Sequence, residues 1–401
     1  MAKKRAVFVY SFSMINAGDF SLNIAAVDIL IKNGFHVTLI SRFEAYTREY
    51  EETSKYFKNL YGKKINMVSS PFKLDRSANK LTSLLNTIHS LFILFGLTKD
   101  RSVSDEIENS DIVVLCGGNI LRCGSFIDYM RLQALNYPLA LAKKHGKEYV
   151  IFPQSTAEIN KIGERLLGRM VNGAKAVFLR ERLSFEKITS LYPLANTIES
   201  LDLAFFLLDE SIFKESNSKK SIAFTIRAGR IGGIGELPEI DKAAITKDII
   251  NIVLNLKNNN EITFVVQGDL QDKEITKHIQ KTLLQTHQMH VNIIEEYDTF
   301  DLIKLYSGFD LLIGMRLHSI ILAAIAGTPS YGFFRKEWGL KNPGILSQMN
   351  LPLSFVDDDK GVDLSEVEKL LTKDKVEFQN NIKKMVKENS DNFTNVLDIN
   401  K

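Results

Sequence analysis

An arginine and a histidine two residues apart form the sharpest chemical pattern in this sequence. Arg316 and His318 stand where an apolar run typical of a strand ends and a helical stretch rich in small residues begins. A helix N-terminus attracts anions and favours the neutral form of a histidine, which can then act as a base. We therefore predict that Arg316 binds an anion and that His318 moves a proton beside it, although an isolated histidine is more often structural.

Polar and glycine-rich turns follow three predicted strands in the first half of the chain. Glycine permits a tight turn and exposes backbone N–H groups that bind anions or sugar oxygens. We expect these turns to supply substrate-binding groups and Asp19 to cap the helix that follows it. An ordinary capped turn explains the first of them equally well, and close packing explains the second. The candidate residues are Asn16 and Asp19, then Gly117, Gly118 and Asn119, and finally Gln154 and Ser155.

Four further charged residues lie at or near predicted strand ends. Arg180 opens a strand-to-helix junction, where it could bind a phosphate or carboxylate through paired hydrogen bonds or form a salt bridge to Glu181 or another acid. Asp202 stands inside an apolar run, either as an orienting or acid–base group or as a helix cap. In the second half, Arg227 beside the glycine-rich loop at 230–235, and Lys336, are further candidate anion contacts.

The hydropathy pattern indicates the elements that must position these residues. Short β-branched runs alternate with helix-length amphipathic stretches, which predicts parallel α/β units. Predicted strands include Arg5–Phe12, His36–Ile40, Asp111–Leu115, Glu148–Phe152, Ala176–Leu179, Ile222–Ile226, Leu311–Ile313 and Ser330–Phe334. Predicted helices include Ser21–Lys32, Phe126–Lys144, Lys161–Asn172, Thr299–Ser307 and Leu364–Glu388.

A polar stretch, DESIFKESNSKK at 209–220, interrupts this alternation and predicts a linker. We therefore expect an α/β fold of two Rossmann-like, doubly wound domains. The first covers residues 1–208 with an irregular helical insertion or loop at about 46–100, and the second covers 221–401 with a C-terminal helix. Such sheets bind ligands at the carboxyl ends of their strands, so we expect the candidate residues to face a cleft between the domains.

Composition excludes several classes of protein. The 401 residues are 45% hydrophobic and 25% charged with a formal net charge of +3, which is typical of a globular chain and argues against a nucleic-acid binder. Two cysteines without zinc-type spacing predict a reducing compartment and no metal site. The longest apolar stretch, at 84–97, is too short to cross a bilayer. We expect a cytoplasmic protein, in which this stretch is a buried or partner-facing helix or a peripheral contact with the inner face of the membrane.

Taken in chain order, these motifs resemble those of the polysaccharide pyruvyltransferase family. The series is N-x-G-D at Asn16–Asp19, Gly-Gly at 117–118, Gln-Ser at 154–155, R-[DE]-x-x-S at Arg180–Ser184, D-L-A-F at 202–205, and R-L-H at 316–318 followed by Ala323 and Gly-Thr-Pro at 327–329. All but R-L-H are loose patterns by themselves. Their order and their places at strand ends make up the resemblance.

The resemblance implies a GT-B-like fold and transfer of pyruvate from phosphoenolpyruvate to two hydroxyls of a sugar. The acceptor would belong to a cell-surface polysaccharide, such as an exopolysaccharide or capsule, or to its lipid-linked precursor. The product would be a pyruvate ketal, with release of phosphate and without a cofactor. Arg316 and Arg180 would then bind the donor, and His318 would act as base for the hydroxyl or acid toward the phosphate. Asp202 or Asp19 would protonate or orient, and the sequence does not choose between them.

Two other hypotheses fit the same architecture, namely a glycosyltransferase that uses a nucleotide sugar and a non-catalytic protein that binds a glycan or nucleotide. The sequence also departs from the family pattern in three places. Asn119 replaces the usual third glycine, Glu181 replaces the commoner aspartate, and FFRK at 333–336 lacks the usual order of tyrosine and lysine. These departures bear on the acceptor site and on the role of Lys336.

Overall fold

The computed structural model describes residues 3–14, 16–72, 80–208, 220–228, 238–258, 260–339, 341–356, 358 and 361–398. Residues 209–219 of the predicted linker and the predicted glycine-rich loop at 230–235 lie outside these ranges. The chain divides into two compact units, which are Met1–Met14 with Leu22–Leu203 and Asn389–Lys401, and Ile15–Ser21 with Ala204–Glu388. The predicted domains at 1–208 and 221–401 do not include this exchange of two short segments.

The first unit contains a seven-stranded parallel sheet. Its elements in chain order are β1 (Lys4–Ser11), α1 (Ala17–Lys32), β2 (Phe35–Ser41), α2 (Arg48–Tyr61), β3 (Ile65–Val68), α3 (Lys80–Leu94), α4 (Arg101–Glu108), β4 (Ile112–Leu115), β5 (Leu121–Cys123), α5 (Phe126–Lys144), β6 (Glu148–Gln154), β7 (Thr156–Ile159), α6 (Lys161–Asn172), β8 (Ala176–Leu179), α7 (Arg182–Leu191) and β9 (Thr197–Glu199). The first turn of α1, up to Ser21, belongs to the second unit. The strand order is β3-β2-β1-β4-β6-β8-β9, and β5 pairs separately with β7.

The second unit contains a six-stranded parallel sheet. Its elements are β10 (Lys220–Thr225), α8 (Glu239–Leu256), β11 (Asn260–Val266), α9 (Leu270–His287), β12 (Asn292–Glu295), α10 (Thr299–Ser307), β13 (Leu311–Gly314), α11 (Leu317–Ile325), β14 (Ser330–Phe334), α12 (Lys341–Gln348), β15 (Leu353–Phe355), α13 (Leu364–Leu371) and α14 (Lys375–Leu397). The strand order is β12-β11-β10-β13-β14-β15. The prediction of an α/β fold with two parallel, doubly wound sheets is therefore confirmed.

The central strands are buried on both faces, which is why they read as continuous apolar runs. All four residues of β4 are buried, and β4 pairs in parallel with β1 on one side and β6 on the other. The predicted bounds of β8, α5 and α6 are those observed. These elements were predictable because their length and periodicity are unambiguous.

The segment at 46–100, for which we expect an irregular helical insertion or loop, is helical in part but also contributes to the sheet. The segment contains a helix–strand–helix unit, and its strand β3 extends the sheet by pairing in parallel with β2. Four residues, Ile-Asn-Met-Val, are too few to establish an alternating pattern when lysines precede them. The tail at Leu364–Glu388 is helical as predicted, but it forms two helices, because α13 ends at Leu371 and α14 starts afresh after Asp374, whose carboxylate accepts hydrogen bonds from the N–H groups of Val376 and Glu377.

Helices α3, α4, α5 and α6 contribute to one hydrophobic core on the first sheet. Ile93, Val103, Leu132 and Leu166 come from these four helices in turn, and all belong to the same buried cluster as Val113 of β4. These helices therefore cover the same side of the sheet. Burial of each such side chain contributes about 1.5–3 kcal/mol.

The predicted apolar stretch at 84–97 coincides largely with α3, whose 15 residues span about 22 Å. A bilayer core is about 30 Å thick. Among the residues that the structure describes, no helix is long and apolar enough to cross it.

Candidate active site

Helix α11 carries the R-L-H motif at its first turn. Strand β13 ends at Gly314, and Arg316 occupies the N-cap position. The Ser319 hydroxyl donates to the Arg316 carbonyl oxygen at 2.6 Å and lies 2.7 Å from the Thr225 hydroxyl, which fixes the start of the helix beside β10. The Arg316 side chain makes no capping hydrogen bond. The first N–H groups of α11, at the positive end of the helix dipole, therefore receive no side-chain cap from Arg316.

Two aspartates at the start of α9 hold the Arg316 guanidinium. Its Nε donates to Asp272 Oδ2, and Nη2 lies 3.6 Å from Asp269 Oδ2. Asp272 is 2% exposed, and its Oδ1 accepts a hydrogen bond of 2.9 Å from the Ala228 N–H. A Cβ at Gly268 would collide with both Asp272 and Arg316, so glycine is required for this close approach. Burial acts to lower the pKa of Arg316, but Asp272, Asp269 and Asp19 together outweigh it and the pKa is raised, so the guanidinium stays charged.

The N-x-G-D turn differs in detail from the prediction. Asp19 does not cap the following helix, because α1 begins at Ala17 and Asp19 lies in its first turn. Asn16 stands before the helix instead, with its carbonyl oxygen accepting from Phe20 N–H at 2.9 Å and its Nδ2 donating to Asp19 Oδ2 at 3.0 Å. Asparagine is a favoured N-cap, and an acid in the first turn complements the helix dipole.

Gly18 of this turn packs directly against His318. A Cβ built on Gly18 would lie 2.5 Å from His318 Nδ1 and 2.9 Å from its Cβ, distances at which two such atoms overlap. Both residues belong to the second unit, together with Arg316. The structure thus brings the first and the last motif of the chain-order series together, and it explains physically why the third position of N-x-G-D is glycine.

Arg227 adds a second cation to this cluster. It follows β10, and its guanidinium lies 4.9 Å from the centre of the Trp338 ring. Burial and the neighbouring Arg316 lower the pKa of Arg227 to about 10, against partial compensation by Asp272 and Asp19. Arg227 and Arg316 are therefore close enough to repel one another, and a multiply charged anion would relieve that repulsion.

Lys336 has a different environment from these two arginines. It opens the short 3₁₀ turn Lys336–Trp338 after β14, and its ammonium pairs with Asp358. Its side chain is mostly exposed, with Nζ 6.0 Å from the centre of the Phe355 ring. A role for Lys336 in substrate binding stays a prediction, whereas Trp338 of the same turn contacts the cluster through Arg227.

In the first unit, a separate set of predicted residues surrounds Arg180. Its Nη1 donates to Asp202 Oδ2 at 2.5 Å, and its Nε donates to Ser155 Oγ at 2.8 Å. Arg180 is 1% exposed and Asp202 is 0% exposed. The structure thus contains the salt-bridge alternative, with Asp202 rather than Glu181 as the acid, since Glu181 caps α7. The donor-binding role of Arg180 stays a prediction.

Backbone hydrogen bonds tie the three strand-end turns of this set to one another. Ser155 N–H donates to the Gly118 carbonyl at 3.1 Å, and Arg180 N–H donates to the Gln154 carbonyl at 3.0 Å. A Cβ at Gly118 would lie 3.1 Å from Arg180 Nη1, so the turn approaches the guanidinium closely. At Gly117 a Cβ would press against Ile120 at 2.8 Å, which is the close-packing explanation for that glycine.

The polar side chains of Gln154 and Asn119 are less fully bonded. Gln154 is 0% exposed, and neither its amide nitrogen nor its amide oxygen has a hydrogen-bond partner among the described residues. The side-chain oxygen of Asn119 is also buried and has no hydrogen-bond partner among the described residues. The backbone carbonyl of Asn119 accepts from Arg131 Nη2 at 3.5 Å. Buried amides usually find partners, so both positions have unused capacity for a polar ligand.

Three residues of the second-unit cluster were not among the site residues predicted from the sequence. Asp269 follows Gly268 between a strand and a helix, and this Gly-Asp pair repeats the Gly-Asp pair at 18–19, which also comes after a strand, so the repetition was a readable clue. Trp338 is the only tryptophan of the chain. Asp272 has no such local signature, because its partner Arg316 is 44 residues away.

Solved structures with the same fold share little sequence with this chain. The protein is similar to UDP-GlcNAc 2-epimerase from Neisseria meningitidis bound to UDP-GlcNAc, with 13% identity, a TM-score of 0.57 and coverage of 98% of this chain and 99% of that chain. It is similar to Alr3699/HepE from Anabaena, solved with UDP and glucose, with 10% identity, a TM-score of 0.58 and coverage of 98% and 100%. At these identities the likeness shows the fold alone, which is GT-B-like with two Rossmann-like domains.

The family is shown by the sequence itself. No curated protein matches the chain significantly. The model of one protein family, polysaccharide pyruvyl transferase, matches residues 16–333, which is most of the chain. The matched range begins at Asn16 of the N-x-G-D turn and includes the whole of β13 and α11. The chain therefore belongs to the polysaccharide pyruvyl transferase family.

Proposed function

We propose that this protein transfers the pyruvyl group of phosphoenolpyruvate to two hydroxyls of a sugar, in a polysaccharide or its lipid-linked precursor. Membership of the family makes the protein a transferase that acts on polysaccharide. The identity of the donor and the formation of a ketal are the parts that we propose. The observation that supports them is the pair of neighbouring cations, Arg227 and Arg316, in the unit that also contains His318.

The donor has two anionic groups, a phosphate and a carboxylate, and the cluster has two guanidinium groups to bind them. Arg316 is held in place by Asp272, so it can donate to an anion without first being ordered. Arg227 is partly buried against Trp338, where the low dielectric strengthens its attraction for an anion. The N-terminus of α11 adds backbone N–H groups of the same polarity.

The reaction balances without any further reactant. C3 of the enol accepts a proton, the oxygen of one hydroxyl forms a bond to C2, and the bond from C2 to the phosphate oxygen breaks. The oxygen of the second hydroxyl then forms a bond to C2, which closes the ketal ring, so that C2 is bonded to both sugar oxygens. Of the two hydroxyl protons, one is accounted for in the new methyl group and the other in the hydrogen phosphate that leaves.

His318 is the residue that we expect to move one of these protons. His318 follows the N-cap residue Arg316 by two positions, and its ring lies against Gly18. We assign it to proton transfer between the sugar hydroxyl and the departing phosphate. Asp19 is one residue from Gly18 and affects both arginines electrostatically, so it is the second candidate for protonating or orienting the donor.

Arg180 and Asp202 receive a positioning role in this proposal. Their ion pair is buried in the first unit and joins two strand-end turns to Ser155. Because its hydrogen bonds go to Ser155, Asp202 and the Gln154 carbonyl, Arg180 holds the turns of Gly118 and Gln154 in fixed positions relative to one another. The open amide of Gln154 would then be a group that contacts substrate.

The test is direct. The full chain is incubated with phosphoenolpyruvate and a panel of lipid-linked and synthetic glycosides, phosphate release is followed, and mass spectrometry is used to detect a gain of one pyruvyl ketal. His318→Ala should nearly abolish turnover while circular dichroism stays unchanged, whereas His287→Ala, at the exposed end of α9, should behave as wild type. Wild-type rates in His318→Ala would contradict the assignment. Turnover of a nucleotide sugar without phosphate release from phosphoenolpyruvate would favour the glycosyltransferase hypothesis instead.

A further inference from the structure

A basic groove runs between α5 and α6 in the first unit. It encloses about 1100 Å³ and is lined by four cations, with Glu164 as its acid. Three of the cations are four residues apart on α6, so they lie on one side of three successive helical turns. The four are Lys143, Lys161, Arg165 and Arg169.

These cations are not engaged in structural ion pairs. All four are exposed, and no carboxylate of a described residue lies within ion-pair distance of them. On α7, by contrast, the exposed Arg182 meets two acids, Glu186 and Glu199. A groove with four unpaired cations and one acid therefore concentrates positive potential locally.

Large apolar side chains project beside this groove. Phe126 and Ile127, in the first turn of α5, are 76% and 69% exposed, and Ile162, in the first turn of α6, is 66% exposed. The two helix starts are adjacent, because Asn160 N–H donates to the Cys123 carbonyl at 2.8 Å immediately before both helices begin. We call these three side chains the apolar tip.

Helix α3 extends the apolar surface on the same side of the sheet. Its buried Ile93 belongs to the same core cluster as Leu132 of α5 and Leu166 of α6. On its outer side, the exposed apolar residues recur at helical spacing and continue just past the helix end. They are Leu85, Ile88, Phe92, Phe95 and Leu97.

We propose that this face of the first unit docks on a membrane surface that contains anionic lipids. The apolar tip would insert at the level of the headgroups, and the groove cations would bind lipid phosphates. The combination of exposed apolar side chains with unpaired cations favours an anionic membrane surface over other partners. A soluble polyanion would satisfy the cations but leave the apolar tip in water, and an apolar protein face would leave four cations without partners.

The experiment measures binding of the full-length protein to vesicles of phosphatidylcholine alone and of phosphatidylcholine with phosphatidylglycerol. Wild type should bind the anionic vesicles at least tenfold more tightly than the neutral ones, and added salt should weaken that binding. Arg165→Glu with Arg169→Glu should reduce it at least tenfold. The matched control is Lys55→Glu with Lys58→Glu, which makes the same charge change at exposed lysines of α2.

A second pair of variants tests the apolar tip without altering charge. Phe126→Ser with Ile127→Ser should weaken binding to anionic vesicles several-fold, whereas Leu60→Ser, at a residue of α2 that is 44% exposed and does not line the groove, should not. The proposal is overturned if wild type binds neither vesicle, binds both equally, or loses no affinity in either test variant. The assay contains neither phosphoenolpyruvate nor a sugar acceptor, so its outcome does not depend on the proposed reaction.

Discussion

The buried pair Arg180–Asp202 yields the most discriminating prediction. We consider Asp202→Asn, which keeps the shape of the side chain and removes its charge. The guanidinium of Arg180 is then left in a site where it is 1% exposed, with Ser155 Oγ as a neutral acceptor at 2.8 Å. Removing one partner of a buried ion pair costs more than the pair contributes, because an uncompensated charge stays in low dielectric.

The magnitude follows from this burial. Loss of one partner of a buried pair typically costs about 3–5 kcal/mol of unfolding free energy. For a domain of roughly 150–250 residues, 1 kcal/mol shifts Tm by about 2–4 °C, so a decrease of roughly 6–20 °C is expected. Glu186→Gln is the matched control, since it breaks an ion pair of 2.7 Å with Arg182 on the surface, where both side chains are more than half exposed. That control should leave Tm unchanged.

Calorimetry and far-ultraviolet circular dichroism measure the effect. Trp338, the only tryptophan, lies in the second unit, so its fluorescence follows that unit separately. A loss of less than 1 kcal/mol in Asp202→Asn would refute the reasoning. If the variant kept its stability but the KM for phosphoenolpyruvate rose strongly, Arg180 would bind the donor, as the sequence alone predicts.

Three further predictions concern the second-unit cluster. Asp272→Asn should lower kcat/KM for the donor by about tenfold or more, equivalent to about 1.4 kcal/mol, because Arg316 loses the carboxylate that orients it. Gly18→Ala should lower kcat by a similar factor, since the new methyl group would displace the His318 ring, and phosphate release measures both effects. Donor affinity should fall as the pH rises through about 10, because only the protonated guanidinium of Arg227 binds an anion. Calorimetric titration of wild type against Arg227→Met measures this difference.

The Asp272 and Gly18 variants each have a control in the same unit. Asp301→Asn removes an exposed acid from the first turn of α10, and Gly308→Ala adds a methyl group where the nearest atom is the Leu305 carbonyl oxygen at 3.3 Å. Both controls should keep nearly wild-type kinetics. Equal losses in control and test variants would mean that general destabilisation, and not the geometry of the cluster, explains the result. A donor affinity that did not change between pH 9 and 11, a window set by a pKa of about 10, would remove Arg227 from the donor site.

Much of the fold was predictable because its elements satisfy local rules. The helices at Phe126–Lys144 and Lys161–Asn172 were predicted with their observed bounds, and so was the strand at Ala176–Leu179, whose four residues are all apolar. Strand β3 was missed because four residues carry no periodicity, and it exists as a strand because β2 offers a parallel partner. The assignment of segment 15–21 to the second unit and of segment 389–401 to the first could not be predicted either. The pattern of a helix in the sequence does not indicate which hydrophobic core the helix packs against.

By itself, the sequence determined that two parallel α/β sheets form and that glycines, polar residues and cations follow their strands. It also placed Arg316 and His318 at the start of a helix, because strand end, small residues and helical pattern are all local features. Only the tertiary structure decided which charges meet. It joined Arg316 to Asp272 across 44 residues and pressed His318 onto Gly18 from the other end of the chain. Parallel strands bring distant residues to one sheet edge, and no local pattern records which of them become neighbours.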